Sequence, residues 1–94
     1  VGTPARAIAL SGADQAVYTG GAIYRGIVLR ETAAAPAQVR VYDGTSAAGI
    51  LLDDVALAAS ASASTWYGDG GIWASTGIFV DIVTGTVEGS LRLG

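Results

Sequence analysis

Apolar and polar residues alternate along most of this chain with a period of two, and nowhere with the 3.6-residue period of a helix. The alternation is clearest near the C-terminal end. There Ile78, Val80 and Ile82 interleave with Phe79, Asp81 and Val83, Thr84-Gly85 interrupts, and Val87, Leu91 and Leu93 interleave with Glu88, Ser90 and Arg92. Successive strand side chains point to opposite faces, so this pattern predicts two strands joined by a tight turn, with one face a row of branched aliphatics that needs a cover. A lone hairpin is not stable in water, so the rest of the chain must supply a second sheet.

Taken in order, Val1 to Pro4 reads as an extended lead-in. Ala5 to Leu10 alternates weakly, with Ile8 and Leu10 on one face, and is too short to favour the helix its alanines would otherwise suggest. Ser11-Gly-Ala-Asp14 is a turn, Gln15 to Thr19 a second short strand, and Gly20-Gly21 its end. Ala22 to Glu31 is the longest β-favouring run. Ile23, Ile27 and Leu29 share a face with Arg25 and are expected in the core, Arg25 lying at the sheet margin or reaching past it to solvent. Tyr24, Gly26, Val28 and Arg30 are then expected outside, and Gly26 marks a bulge or the close approach of another backbone. Pro36 closes a connection, and Gln38 to Tyr42 follows with Val39 and Val41 inward.

Asp43 to Gly49 is a loop of turn formers. Ile50 to Leu57 divides by parity into a short strand around Leu51 and a run carrying Val55 and Leu57, with Asp53-Asp54 marking a kink or bulge between them. Ala58 to Ser64, small and alternating, is a loop or a thin edge strand. Gly68-Asp-Gly-Gly71 between Trp66-Tyr67 and Ile72-Trp73-Ala74 predicts a hairpin. The sum is one all-β domain over residues 1–94, an antiparallel β-sandwich of about seven to eight short strands, jelly-roll or immunoglobulin-like, with no significant helix.

Composition narrows the chemistry. Half the residues (51%) are hydrophobic, which excludes a disordered chain, and no apolar run approaches the roughly 20 residues of a membrane-spanning helix. There are 14 glycines and many alanines, so the core is lean and burial against another surface is expected to contribute to stability. No cysteine, histidine or lysine occurs. Disulfides, thiolate metal sites, the commonest general base and Schiff-base chemistry are therefore absent, and serine has no evident activating partner. The net charge is -3, and the five arginines, Arg6, Arg25, Arg30, Arg40 and Arg92, are scattered, which gives no basic stripe for nucleic acid.

The remaining candidates are carboxylates and aromatics. Asp53 and Asp54 would face opposite sides of a strand and cannot jointly hold an ion. Asp43 and Asp69 stand in glycine loops where a carboxylate commonly bonds its own turn; calcium would need several converging oxygens, and glycoside hydrolysis a facing acid pair. Trp66, Tyr67 and Trp73 flank one loop, while Tyr24, Tyr42 and Phe79 carry outward parity, as do Val28 and Val83. These eight residues form a candidate interaction surface. They could cap the core, bury against a neighbouring subunit, or form a sugar-stacking platform, and the apolar outward set favours protein contact.

Three stretches together resemble a family of small β-sandwich proteins from the virion-structure regions of tailed bacteriophages, especially those of actinobacterial and similar high-GC hosts. They are Arg25-Gly-Ile-Val-Leu-Arg-Glu-Thr32, Val39-Arg-Val-Tyr-Asp-Gly-Thr-Ser-Ala-Ala-Gly49 and Thr76-Gly-Ile-Phe-Val-Asp-Ile-Val-Thr-Gly-Thr-Val-Glu-Gly-Ser90. The resemblance implies a minor capsid, decoration or head-tail accessory protein in the virion, assembled in the host cytoplasm, with no catalytic residues and no cofactor. Its implied partners are copies of itself, a trimer being one such form, and the major capsid or another virion protein, without nucleic acid or membrane. A tail- or fibre-associated module that binds a host-surface glycan is the alternative. Trp66-Tyr67 departs from the small or polar residues that the family carries there.

Overall fold

Nine strands follow the period-two segments: β1 (Arg6–Ala9), β2 (Gln15–Thr19), β3 (Ala22–Glu31), β4 (Ala37–Asp43), β5 (Ile50–Leu57), β6 (Ser62–Ser64), β7 (Ile72–Ala74), β8 (Gly77–Thr84) and β9 (Val87–Leu93). They are seen in a computed structural model that describes residues 6–68 and 70–94; the expected lead-in over residues 1–4 and the turn role of Asp69 lie outside the described residues. All pairings are antiparallel. The first sheet runs β1-β9-β3-β6, with β7 also on β3, and the second runs β2-β8-β4-β5.

β6 and β7 lie end to end along the same side of β3. Ser64 pairs with Val28 and Ile72 with Tyr24, and between them the Thr65 and Tyr67 amides donate to the carbonyls of Ile27 and Arg25. Residues 62–74 are thus one edge strand that loops outward after Tyr67. Counted so, the chain has eight strands in the order of a jelly roll, within the strand number expected from sequence.

This topology corrects two expected hairpins. β8 belongs to the second sheet and β9 to the first, so Thr84-Gly85 is an arch between layers and the C-terminal ribbon does not pair with itself. The glycines around residue 70 likewise make an excursion in one strand and not a turn between two paired ones. In both places the turn residues were read correctly, but a sharp bend fixes only a change of direction. Which strand pairs with which is decided by burial of both aliphatic faces in one core.

The core is filled by Tyr24, Ile27, Leu29, Leu91 and Leu93 from the first sheet and Val39, Val41, Ile78 and Val80 from the second, each at most 1% exposed. A bulge between Tyr24 and Gly26 shifts the register of β3 on β9. One extra residue reverses the parity. Tyr24 is consequently buried and Ile23 only half-buried, the reverse of the expected assignment, while Ile27 and Leu29 keep theirs. Gly26 has φ 151°, and a Cβ there would fall on the Thr65 carbonyl, which accounts for glycine at the bulge. Arg25 is also buried, at 3% exposure, enclosed by the backbone at Gly71 and Gly94 instead of reaching solvent. The bulge expected in β5 is present at Leu52, where Val41 pairs with Asp53 and Tyr42 with Leu51, so residues 50–57 form one bent strand.

Candidate functional site

Each carboxylate that shares parity with a strand's core residues has become a tie within the fold. Asp53, in step with Val55 and Leu57, faces between the sheets. Its Oδ2 accepts hydrogen bonds from the hydroxyls of Tyr24 (2.9 Å), Thr65 (3.1 Å) and Tyr67 (3.1 Å), and its Oδ1 accepts the Asp54 amide at 3.0 Å. Thr65 Oγ1 also accepts the Ile27 amide at 3.1 Å. One carboxylate therefore joins β5 of the second sheet to β3 and the edge strand of the first. Burial, then the Asp53 charge, pushes the Tyr24 hydroxyl well above the ordinary tyrosine value, and burial raises Tyr67 as well. The two rings lie 5.8 Å apart at 47°.

Glu31, in step with Ile27 and Leu29, is 2% exposed at one end of the sandwich. It accepts the amides of Ala33 (2.6 Å) and Ala35 (3.1 Å) in the β3–β4 loop and of Ser60 (2.7 Å) in the β5–β6 loop. The Ser60 amide, then those of the β3–β4 loop, hold its carboxyl below the usual range against the opposing effect of burial. At the other end Asp43, in step with Val39 and Val41, accepts the Thr76 amide at 3.0 Å and the Ser75 amide and hydroxyl at 3.1 and 3.3 Å. The Thr76 amide is the main reason its carboxyl also lies below the usual range. Asp43 was expected to bond its own turn; it bonds the β7–β8 turn because its inward parity aims it across the end of the sandwich. Asp14, in the β1–β2 turn, accepts the Ile82 amide at 2.8 Å. Among the described residues no group of three or more carboxylates converges as metal ligands would, and no pocket forms.

The eight candidate surface residues divide. Tyr24 leaves the set, because the bulge turns it into the core. Tyr42 and Phe79 are cross-strand partners on the outer face of the second sheet, extended to Ala16 on β2 and Leu51 on β5, with Val83 exposed on the same strand as Phe79. Cross-strand partners share a face, so these residues form one apolar row over four strands. The next row is charged: Arg40 pairs with Asp81 and Asp54, its Nε 3.5 Å from Asp54 Oδ2. Burial, then the Asp14 carboxylate, holds the Asp81 carboxyl above its usual range.

Val28 and Trp73 lie on the outer face of the first sheet, where Trp73 pairs with Ile23 and its indole lies across Gly21. Trp66 and Tyr67 stand on the edge strand at 55% and 42% exposure. The sequence thus located the exposed aromatics around the loop. It missed the Asp53 network, whose signal was present: a carboxylate in step with Val55 and Leu57 must find donors between the sheets. It also missed Ile50 and Leu51, exposed at 72% and 50%.

Comparison of the chain with protein-family models found no match. No curated protein and no solved structure matched it either.

Proposed function

We propose that this chain is a non-catalytic structural protein of a phage particle, a minor capsid or decoration protein that associates with copies of itself and attaches to the shell. The observation that carries this reading is the placement of its large apolar side chains. Ile50, Leu51, Trp66, Trp73 and Val83 are each more than 40% exposed, on outer faces and edges of a molecule with a lean core. Exposed apolar groups gathered in rows characterise surfaces that are covered in an assembly. The acids that might have served as catalysts, Glu31, Asp43 and Asp53, are occupied in holding the fold. Jelly rolls build viral shell proteins, and although a fold hosts many functions, the stretches 25–32, 39–49 and 76–90 lean the same way. On a symmetric shell, many weak copies would sum to firm attachment. Shells assembled without the chain should rupture at lower temperature or in low salt and recover when purified protein is added. Shells indifferent to its presence would overturn the proposal.

A second reading is favoured by one feature, the exposure of Trp66, Tyr67 and Trp73 around a single loop. Jelly rolls also serve as lectins, and such rings can stack on sugars. Binding on an array of host-surface glycans, abolished by Trp73→Ala, would support it; an array with no binding would remove it.

A further inference from the structure

The two outer faces of the sandwich differ in relief and in charge. On the first sheet, Ala7 and Ala9 of β1, Ser90 of β9 and Ser62 and Ser64 of β6 make a low surface around Val28. It carries Arg30 and Arg92 against the single acid Glu88, which stands 4.0 Å from Arg30. On the second sheet the row Phe79, Tyr42 and Leu51 stands up from the surface. Beside it Asp54 and Asp81, with Asp14 near Asp81, outnumber Arg40. Asp81 and Asp14 crowd one another, so this face is short of cations.

We infer that copies of this chain associate head to tail, the bulky acidic outer face of the second sheet seating on the low arginine-bearing outer face of the first sheet of the next copy. The inference rests on the self-association in the function proposed above and gives it a polarity. Pairing two like faces of the second sheet would set three acids against the same three and raise two aromatic rows against each other. Pairing unlike faces brings Arg30 and Arg92 to the acids and lets the Phe79–Tyr42–Leu51 row settle among alanines and serines. Size is sufficient: the molecule measures 38 × 30 × 18 Å, so a broad face offers roughly 1,100 Å², above the roughly 800 Å² per partner of a stable interface. The contact is heterologous, and because the two surfaces lie on opposite sides of a thin molecule it repeats without closing.

The test uses the purified chain alone, so its failure leaves shell attachment to be judged separately on particles. Mass measured against concentration should pass through dimer to larger species, and rising salt should shift the distribution toward monomer. A mass that stops at dimer, that never leaves monomer, or that ignores salt overturns the inference. Two variants altered only at exposed positions then read the polarity. Arg30→Glu with Arg92→Glu spoils the first face, and Leu51→Asp with Val83→Asp spoils the second. Each should be folded by circular dichroism and monomeric alone, while a one-to-one mixture should give a dimer and nothing larger, since each variant retains one sound face. A mixture that stays monomeric, or variants that associate as the unaltered chain does, would contradict head-to-tail contact.

Discussion

At the residue scale, inward parity decides what an acid does in this protein. Glu31, Asp43 and Asp53 each continue the core-facing alternation of a strand, and each is satisfied by donors from elements distant in sequence. Outward acids, Asp54, Asp81 and Glu88, face arginines instead. Removing the Asp53 carboxylate strands the buried Tyr24 hydroxyl, so Asp53→Ala is expected to lower stability by roughly 2–3 kcal/mol in urea unfolding. Tyr24→Phe should lower it more than Tyr67→Phe, because Tyr67 can turn to water. Equal losses for the two would show that burial does not set the strength of the network.

Acid sensitivity follows from the same groups. Glu31 and Asp43 have folded-state pKa values below their ordinary 4.5 and 3.8, so their contribution is complete above those values and is lost as pH falls through the depressed ones. Asp81, raised by burial, acts in the opposite sense and favours the fold once protonated. The melting temperature should hold from neutral pH to about pH 5 and decline below it, and Glu31→Gln should flatten the decline. Tyr24 bounds the other side: its raised pKa gives stability that is complete below about 10 and lost at higher pH.

At the element scale, strands were legible from alternation wherever the parity was unbroken, as in β4, β8 and β9. Where one residue was inserted, the assignment inverted: Tyr24 and Ile23 exchanged places across the Gly26 bulge. A glycine announces that a bulge is available but not on which side of it the count resumes. Pairing was less legible still, because Thr84-Gly85 has the chemistry of a hairpin and the geometry of an arch. Gly26→Ala should cost about 2–3 kcal/mol, since φ 151° is strained for any other residue and the new Cβ would collide with Thr65. Ala34 and Ser60, in the two loops that Glu31 ties together, have φ 55° and 59°. Here the sign reverses: Ala34→Gly should raise stability by about 0.5–1 kcal/mol, and a loss would mean that the loop does not hold this conformation.

At the scale of the whole molecule, a thin two-layer body closes its ends and interior with its own acids and leaves its broad faces with unlike character. The candidate surface was legible in part, because outward parity finds Tyr42, Phe79 and Val83 without knowledge of the fold. Its division into two opposed faces was not, since only pairing assigns each strand to a layer. Exposure on broad faces and not in a cleft is what an assembling component needs, and it explains why no arrangement of reacting groups stands out among the described residues. The most direct measurement is electron microscopy of phage particles that carry the chain, compared with particles that lack it. The account expects added density at repeated positions on the shell, into which the jelly roll fits with a broad sheet face buried in a contact. Shells identical with and without the chain, or density that leaves both faces open to solvent, would contradict it.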